Sequence, residues 1–333
     1  MNRPSTYTVV FMDVLAPAVQ RVILSVFRPP FEVRFALNYD DRHQLALCRT
    51  ADFLVPGWAQ LSGDMLAAAE RVRAVQKWGI GVDRIDIAAA RRLGIPVAIT
   101  AGSNAGPVAE LAVALMLAVY RRLYYVNRQM RAGQWPKSEM RETCFQIHGK
   151  TIGLVGFGNI GRKLARRLAG FEPAAILYAD RHPAAADVEQ SLGARRVELS
   201  ELLAASDIVS LHAPYDDSTR HLIDERALRR MKKGAVLINT ARGELVDEAA
   251  LADALARGHL LGAGLDAFDP EPPDAANPLL GFDQVVVTPH AGGGVFDNVA
   301  PVAAHVLRNL ERLVAGEPLP AQDVIVSEDR RAR

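Results

Sequence analysis

The sequence predicts an α/β protein of two doubly wound units, each a parallel sheet with helices on both faces. Three observations predict it. Short β-rich runs alternate with helical patterns twice over, from residue 7 to 100 and again from 151 to 316. The candidate strands are mostly apolar throughout, as strands covered on both faces are. Between the two series lies a long helical run, apolar nearly all round over its first half, which is the pattern of a helix buried between layers. At 333 residues the chain has room for two domains of ordinary size.

In the first series, strands are predicted at 7–14, 31–39, 52–57, 72–78 and 95–100. SGDMLAAAER and IDIAAARRLG read as helices between them, the second stopping at Gly94 with Pro96 just beyond. The segment AGSNAGPVAELAVALMLAVYRRLYYVNRQM opens on a Gly/Asn turn and is predicted as one long helix from Pro107 onward; RAGQWPKSEM, after it, reads as a loop. The second series has strands at 151–158, 175–180, 207–214, 235–242, 260–268 and 284–290. Its helix DEAALADALARG has Asp247 and Glu248 in the first turn and Gly258 as its stop. NVAPVAAHVLRNLERLVAG, 298–316, is the last helix, and the tail EPLPAQDVIVSEDRRAR is too short to fold alone.

Charge and cysteine usage narrow the function classes. The net charge is +1, which gives no electrostatic reason to expect nucleic acid or a membrane surface as a partner. The one dense basic cluster, Arg330, Arg331 and Arg333, follows Glu328 and Asp329 and reads as a solvated end. Cys48 and Cys144 form neither a metal-ligand spacing nor a disulfide framework, so a reducing cytoplasm and no metal are expected. MNRPSTYTVVFMDV has too short an apolar run, broken by Asp13, for a signal peptide, and the apolar run 111–120 is too short to span a bilayer.

TIGLVGFGNIGRKLARRLAG carries the first chemical signal. Gly156, Gly158 and Gly161 make G-x-G-x-x-G directly after a strand and at the start of a helix. The first glycine permits a tight turn, the second lets a pyrophosphate approach the backbone, and the third lets helix pack close to strand. The helix N-terminus then offers N–H groups and a positive dipole end to phosphates. The next strand ends at Asp180, 19 residues after Gly161, where an acid can hydrogen-bond the adenosine ribose hydroxyls and repel a 2′-phosphate. The cofactor reading is NAD rather than NADP; the adjacent Arg181 is the one residue that could pair with a 2′-phosphate.

Ligands in such sheets sit outside the carboxyl ends of the strands. There the second series carries His212 and Pro214, then Thr240, Ala241 and Arg242, then Asp266, then His290, with Glu271 in the loop FDPEPP. A lone strand-end histidine is usually a structural group; an arginine, acids and a histidine together beside a dinucleotide site suggest chemistry. Histidine can supply a proton to an oxygen that gains charge on hydride transfer. A nearby carboxylate orients it and favours its charged form. A guanidinium can hold a substrate carboxylate through paired hydrogen bonds. That set describes a 2-keto acid reductase, or in reverse a 2-hydroxy acid dehydrogenase.

The chain resembles the D-isomer-specific 2-hydroxyacid dehydrogenase family, which includes phosphoglycerate dehydrogenases and glyoxylate/hydroxypyruvate reductases. The matching segments are KWGIGVDRIDIAAARRLGIPV, GSNAGPVAELAVALML, TIGLVGFGNIGRKLARRL, DIVSLHAPYDDSTRHLID, MKKGAVLINTARGELVDEAAL, GAGLDAFDPEPP and VVVTPHAGG. The resemblance implies a flavodoxin-like substrate domain, 1–101 with 292–333, a Rossmann NAD-binding domain, 102–291, and an active site in the cleft between them. It implies that Arg242 binds the substrate carboxylate and that Glu271 pairs with His290 as acid/base. Asp266 is then expected to hold the nicotinamide carboxamide, with Asn159 and Ile160 against the pyrophosphate. His212, Pro214 and Thr219 are expected on the adenine and ribose side, and Thr240, Ala241, Gly292 and Val108 at the cofactor. Ile80 and Gly81 would present backbone N–H groups to the substrate carboxylate, and Asn104 and Val108 would border substrate and nicotinamide. A small 2-keto or 2-hydroxy acid is the implied substrate, and a homodimer through the NAD-binding domain, with an arm like RAGQWPKS at its interface, the implied assembly.

Departures from the family pattern shape the reading. Formate dehydrogenases carry Gln where this chain has Glu271, which disfavours formate oxidation. No long extension follows Gly316, so the regulatory domain of some phosphoglycerate dehydrogenases is not expected. Arg49, Lys77 and Arg84 are available for a phosphate but read equally well as solvated surface charges. Two alternatives share the fold: an NAD-sensing binding protein like the corepressors, and a dehydrogenase of another donor such as phosphite.

Overall fold

Two parallel sheets organise the computed structural model, which describes residues 6–327. The first five residues and the terminal cluster Arg330, Arg331 and Arg333 lie outside the described residues. The chain divides into two units, with breaks after Asn104 and after Gly294; the sequence reading put them at 101/102 and 291/292.

The first unit contains β1 (Tyr7–Phe11), β2 (Phe31–Phe35), β3 (Phe53–Val55), β4 (Ala74–Gln76) and β5 (Val97–Ala98), all parallel in the order 2-1-3-4-5. The aromatic face of this sheet, Tyr7, Phe11, Phe31 and Phe53, packs with Ile23 of the helix Pro17–Val26 and with Val306 and Leu310 of the helix Val299–Ala315. The opposite face carries Val10, Leu54 and Val75 against Cys48, Leu66 and Ala89 of three shorter helices. Each of those helices starts at a side-chain cap, from Asp40, Ser62 and Asp86, which satisfies an orphan N–H of the first turn.

The second unit contains β6 (Thr151–Val155), β7 (Ala175–Ala179), β8 (Ala194–Arg196), β9 (Ile208–Leu211), β10 (Val236–Asn239), β11 (Gly262–Leu265) and β12 (Val285–Val287). They stand in the order 8-7-6-9-10-11-12, all parallel, so the strand order reverses between β6 and β9. That reversal is the switch point at which doubly wound sheets bind ligands. Glycines bring helices close to this sheet. A Cβ on Gly264 would lie 2.8 Å from the Leu115 Cβ, and one on Gly153 would lie 2.5 Å from Leu202 Cδ2.

Three sequence expectations need correction, and the tail adds an element that the sequence did not predict. The long helix ends at Tyr120; Arg122 takes a left-handed backbone with φ 47°, and a separate helix, Leu123–Arg131, follows with no buried residue. The break comes where the apolar run gives way to charge, so the two pieces have different surroundings. RAGQWPKSEM is not all loop, because Lys137–Thr143 is helical and Glu139 is held by Arg122 at 2.6 Å and by the Tyr125 hydroxyl at 2.9 Å. The tail adds an antiparallel edge strand, β13 (Val324–Val326), beside β5. Buried Asp323 anchors it by accepting from the Ala101 N–H at 3.0 Å and Asn309 Nδ2 at 3.2 Å, with His305 Nε2 at 2.7 Å. Lys77 is a buried residue rather than a solvated charge: its ammonium donates to the Gly57 and Trp78 carbonyls, and Arg84 lies 3.8 Å above the Trp58 ring. Among the described residues, no helix is long and apolar enough to cross a membrane.

Candidate active site

β6 runs into Gly156-Phe157-Gly158, and the helix Asn159–Leu168 starts at once. The three glycines meet different demands. Gly156 has φ 96°, and a Cβ there would lie 2.6 Å from the His212 carbonyl carbon, so it permits both the turn and the close approach of the segment after β9. A Cβ on Gly161 would lie 2.4 Å from the Gly156 oxygen, so only glycine lets the helix rest on the turn. A Cβ on Gly158 would meet nothing within 4 Å, which leaves that side of the turn open. No side chain caps this helix, so the first-turn N–H groups, at Asn159 and Ile160, have no side-chain acceptor, as a helix N-terminus that takes an anion requires. Asp180, just past β7, accepts from the Phe157 N–H at 2.7 Å and the His182 N–H at 2.9 Å. The acid thereby ties the end of β7 to the glycine turn.

Past β9, Ser210 Oγ and His212 Nε2 are 2.8 Å apart, while His212 Nδ1 is buried with no hydrogen-bond partner among the described residues. Thr219 is also buried, and its hydroxyl is spent within the loop: it donates to the Pro214 and Asp216 carbonyls and accepts from the Asp216 N–H at 2.8 Å. Past β10, buried Asn239 holds the next turn, accepting from the Ala241 N–H at 3.0 Å and donating to the Arg242 carbonyl at 2.8 Å. Thr240 Oγ1 is buried and unpartnered among the described residues.

Asp266, past β11, is buried and accepts from three groups of one loop. These are Thr288 Oγ1 at 2.6 Å, the Ala291 N–H at 2.7 Å and the Gly292 N–H at 2.9 Å. It thus fixes the segment that bears His290. His290 itself has φ 51°, a left-handed backbone that costs a non-glycine residue about 1 kcal/mol or more and is held here by those bonds. Its Nδ1 lies 2.9 and 3.0 Å from the two Glu271 oxygens. Burial alone would raise the Glu271 carboxyl; the hydrogen bond and charge of His290, the Phe268 N–H and the Arg242 charge outweigh it and hold the group below the usual carboxylate range. Arg242 therefore acts electrostatically on Glu271. Val108, buried on the helix Ala105–Tyr120, borders Gly292, where a Cβ would lie 3.3 Å from Val108 Cγ2.

In the first unit, Ile80 and Gly81 follow β4 in a turn fixed by Thr100. Its Oγ1 accepts from the Gly79 N–H at 2.9 Å and donates to the Gly79 carbonyl at 3.2 Å. Among the described residues no hydrogen bond is donated by the Ile80 or Gly81 N–H. Asn104 Oδ1 is buried and unpartnered among them. Among the described residues there is also no group of three or more His, Cys, Asp or Glu side chains that could hold a metal ion.

The geometry has counterparts among known proteins. A family model described as D-isomer specific 2-hydroxyacid dehydrogenase, NAD binding domain, matches residues 113–292. The chain belongs to the D-isomer specific 2-hydroxyacid dehydrogenase family. It is 39% identical over 262 residues to a glyoxylate reductase of Korarchaeum cryptofilum, covering 78% of each chain. It is 37% identical over 313 residues to a D-3-phosphoglycerate dehydrogenase of Mycobacterium tuberculosis, covering 94% of this chain but 58% of that one. Among solved structures it resembles an NAD-dependent formate dehydrogenase from Staphylococcus aureus in complex with NAD, with a TM-score of 0.84, 28% identity, and 96% and 99% coverage of this chain and that one.

The family is one of oxidoreductases, and its cofactor here is NAD. The residues fit it: an open Gly158, uncapped helix N–H groups, an acid at the end of β7, and two buried polar atoms, His212 Nδ1 and Thr240 Oγ1, without protein partners among the described residues. Sequence reasoning missed the residues that hold this site in shape. Asn239 in LINTAR, Thr288 in VVVTPH and Thr100 lay inside or beside apolar strands and looked like strand composition. Only Asn239, two residues before Ala241, had a local turn signal that could have revealed it.

His212 makes a testable pH sensor of stability. Part of the residue reaches solvent, but burial around its ring lowers its pKa to about 3, against about 6.5 when unfolded. The unfolded chain accepts a proton that the folded one refuses, so stability is full above about pH 6.5 and falls as pH drops toward 3. From about pH 7 to about pH 5 this linkage removes about 2 kcal/mol. Urea unfolding of wild type and His212→Gln at both pH values checks it: the wild type should lose about 2 kcal/mol more than the variant. Equal losses would mean that the folded ring takes up the proton.

Proposed function

We propose that this chain is an NAD-dependent D-2-hydroxyacid dehydrogenase that interconverts a small 2-keto acid and its 2-hydroxy acid. The observation that carries this reading is the His290–Glu271 pair, with the Arg242 charge acting on Glu271, in the unit that matches the NAD-binding domain. The bound cofactor would supply the hydride chemistry, NADH as donor to the keto carbon and NAD+ as acceptor from the hydroxy-bearing carbon. In the reducing direction His290 gives its proton to the oxygen as that atom gains charge, and Glu271 orients the ring through Nδ1, so that Nε2 is the proton-exchanging nitrogen. Arg242 holds the substrate carboxylate and draws charge toward the adjacent carbonyl.

On this reading Asp266 also receives the nicotinamide carboxamide, beside Thr240, Ala241, His290, Gly292 and Val108. Gly156, Gly158, Asn159, Ile160 and Gly161 take the pyrophosphate, Asp180 the ribose, and His212, Pro214 and Thr219 the adenine side. In the first unit, the Ile80 and Gly81 N–H groups and Asn104 are assigned to the substrate. NADH oxidation with glyoxylate, hydroxypyruvate, pyruvate and phosphohydroxypyruvate tests the reading, and turnover of at least one is expected. Activity with phosphite and none with any keto acid would select a different donor.

The exposed apolar residues of the helix Leu123–Arg131 and its neighbour support a homodimer through the second unit. Leu123, Tyr124 and Met130 are each about half exposed, and Trp135 is 74% exposed. A second copy of the chain, in a reducing cytoplasm that suits two free thiols, is the proposed cover. Sedimentation of Trp135→Glu should show the species shifted toward half the wild-type mass; an unchanged wild-type mass would place the contact elsewhere.

A further inference from the structure

We propose that Asp216 is a positioning residue for cofactor choice: by binding the Arg181 guanidinium it withholds the cation that a 2′-phosphate needs, and so makes the second unit discriminate against NADP. The proposal rests on the reading of Asp180 as the ribose acid. Arg181 follows Asp180 at the end of β7, and Asp216 lies in the loop after β9. Both strands pair with β6, so their ends flank the glycine turn on either side. Arg181 Nη2 lies 2.7 Å from Asp216 Oδ2, and Nη1 lies 3.5 Å from Ser218 Oγ.

Asp216 is itself fixed. Its Oδ1 accepts from the Ser218 N–H at 2.9 Å and the Ser218 hydroxyl at 2.5 Å, and its own N–H donates to Thr219 Oγ1 at 2.8 Å. The Ser218 hydroxyl and then Arg181 hold its carboxyl down to about 2, so it stays charged across the working pH range. The second cation at this edge is also engaged: Arg196 donates to the Asp180 carbonyl from Nε at 3.2 Å and Nη2 at 2.9 Å. A 2′-phosphate arriving beside Asp180 therefore meets two carboxylates and two guanidinium groups already bound. The ribose hydroxyl of NAD needs only the Asp180 acceptor. Exposed ion pairs contribute little to folding, so this pair matters for where the charge points, because a guanidinium recognises phosphate only when its donors face it.

The test is fluorescence titration of NADH and NADPH into wild type, Asp216→Ala, Asp216→Asn and the double variant Asp216→Ala/Arg181→Ala. Both single variants should shift the NADPH-to-NADH affinity ratio toward NADPH by about tenfold. The double variant should lose that gain, because the freed arginine is its source. An unchanged ratio in both single variants overturns the proposal, as does a gain that survives in the double variant. Asp180→Ala separates the underlying reading: unchanged NADH affinity there refutes the ribose role of Asp180, whereas the proposal itself fails on the ratio.

Discussion

Replacing His290 with alanine is expected to lower kcat for keto acid reduction about 10²–10⁴-fold while NADH affinity stays within about twofold. The ring is held through Nδ1 by both Glu271 oxygens, so its orientation is set before substrate arrives. Its backbone is held separately, by the bonds from Ala291, Gly292 and Thr288 to Asp266. Alanine at 290 keeps those bonds, so the loop and Gly292 stay in place and the loss falls on proton transfer. Steady-state rates together with NADH fluorescence titration separate the two quantities. A variant that keeps more than about a tenth of wild-type kcat would remove His290 from the proton-donor role. Glu271→Gln is the informative companion, since it retains an acceptor for Nδ1–H but removes the charge. Its kcat for keto acid reduction should fall while NADH affinity holds, because the proton-donating ring loses its anionic partner.

Gly158→Val is expected to weaken NADH binding about 100-fold or more, about 3 kcal/mol, with little change in folding stability. The three glycines of the turn differ here in a way their spacing conceals. A Cβ at Gly156 or Gly161 would collide with backbone at 2.6 or 2.4 Å, so substitution at either disturbs the fold itself. A Cβ at Gly158 meets no protein atom within 4 Å, so the protein by itself tolerates a side chain there. Any large loss of affinity in Gly158→Val therefore reports the approach of the ligand to the backbone. Thermal unfolding without cofactor, set beside NADH titration, checks both halves. If affinity is unchanged, the pyrophosphate does not pass over Gly158.

Much of this site was legible in local sequence. The glycine turn, the acid at the end of β7 and the polar strand ends need only neighbouring residues and the rule that ligands lie beyond strand carboxyl ends. Strand limits were less legible. Expected runs such as 235–242 and 260–268 extend past the observed Val236–Asn239 and Gly262–Leu265, because the residues after each strand pass directly into site loops that keep strand-like composition. β8, sequence ARR, has no β-rich pattern and forms because β7 offers an open edge.

The sequence by itself determined the two doubly wound units, the glycine turn and the set of candidate site residue types, since these arise from periodicity and short-range backbone geometry. Tertiary structure decided what each polar group is bound to. Asp266 meets Ala291 across 25 residues, Arg181 meets Asp216 across 35, and the Ala101 N–H meets Asp323 across 222. Those partners are chosen by strand order and by the path of the chain between the units, neither of which any local pattern encodes. The same holds for Lys77, which the sequence left open between a phosphate ligand and a solvated charge and which is buried against two carbonyls. Its position follows from where β4 lies in the sheet: burying an ammonium is costly unless it is hydrogen-bonded, and the loop after β3 supplies the Gly57 acceptor while Trp78, next in the chain, supplies the other.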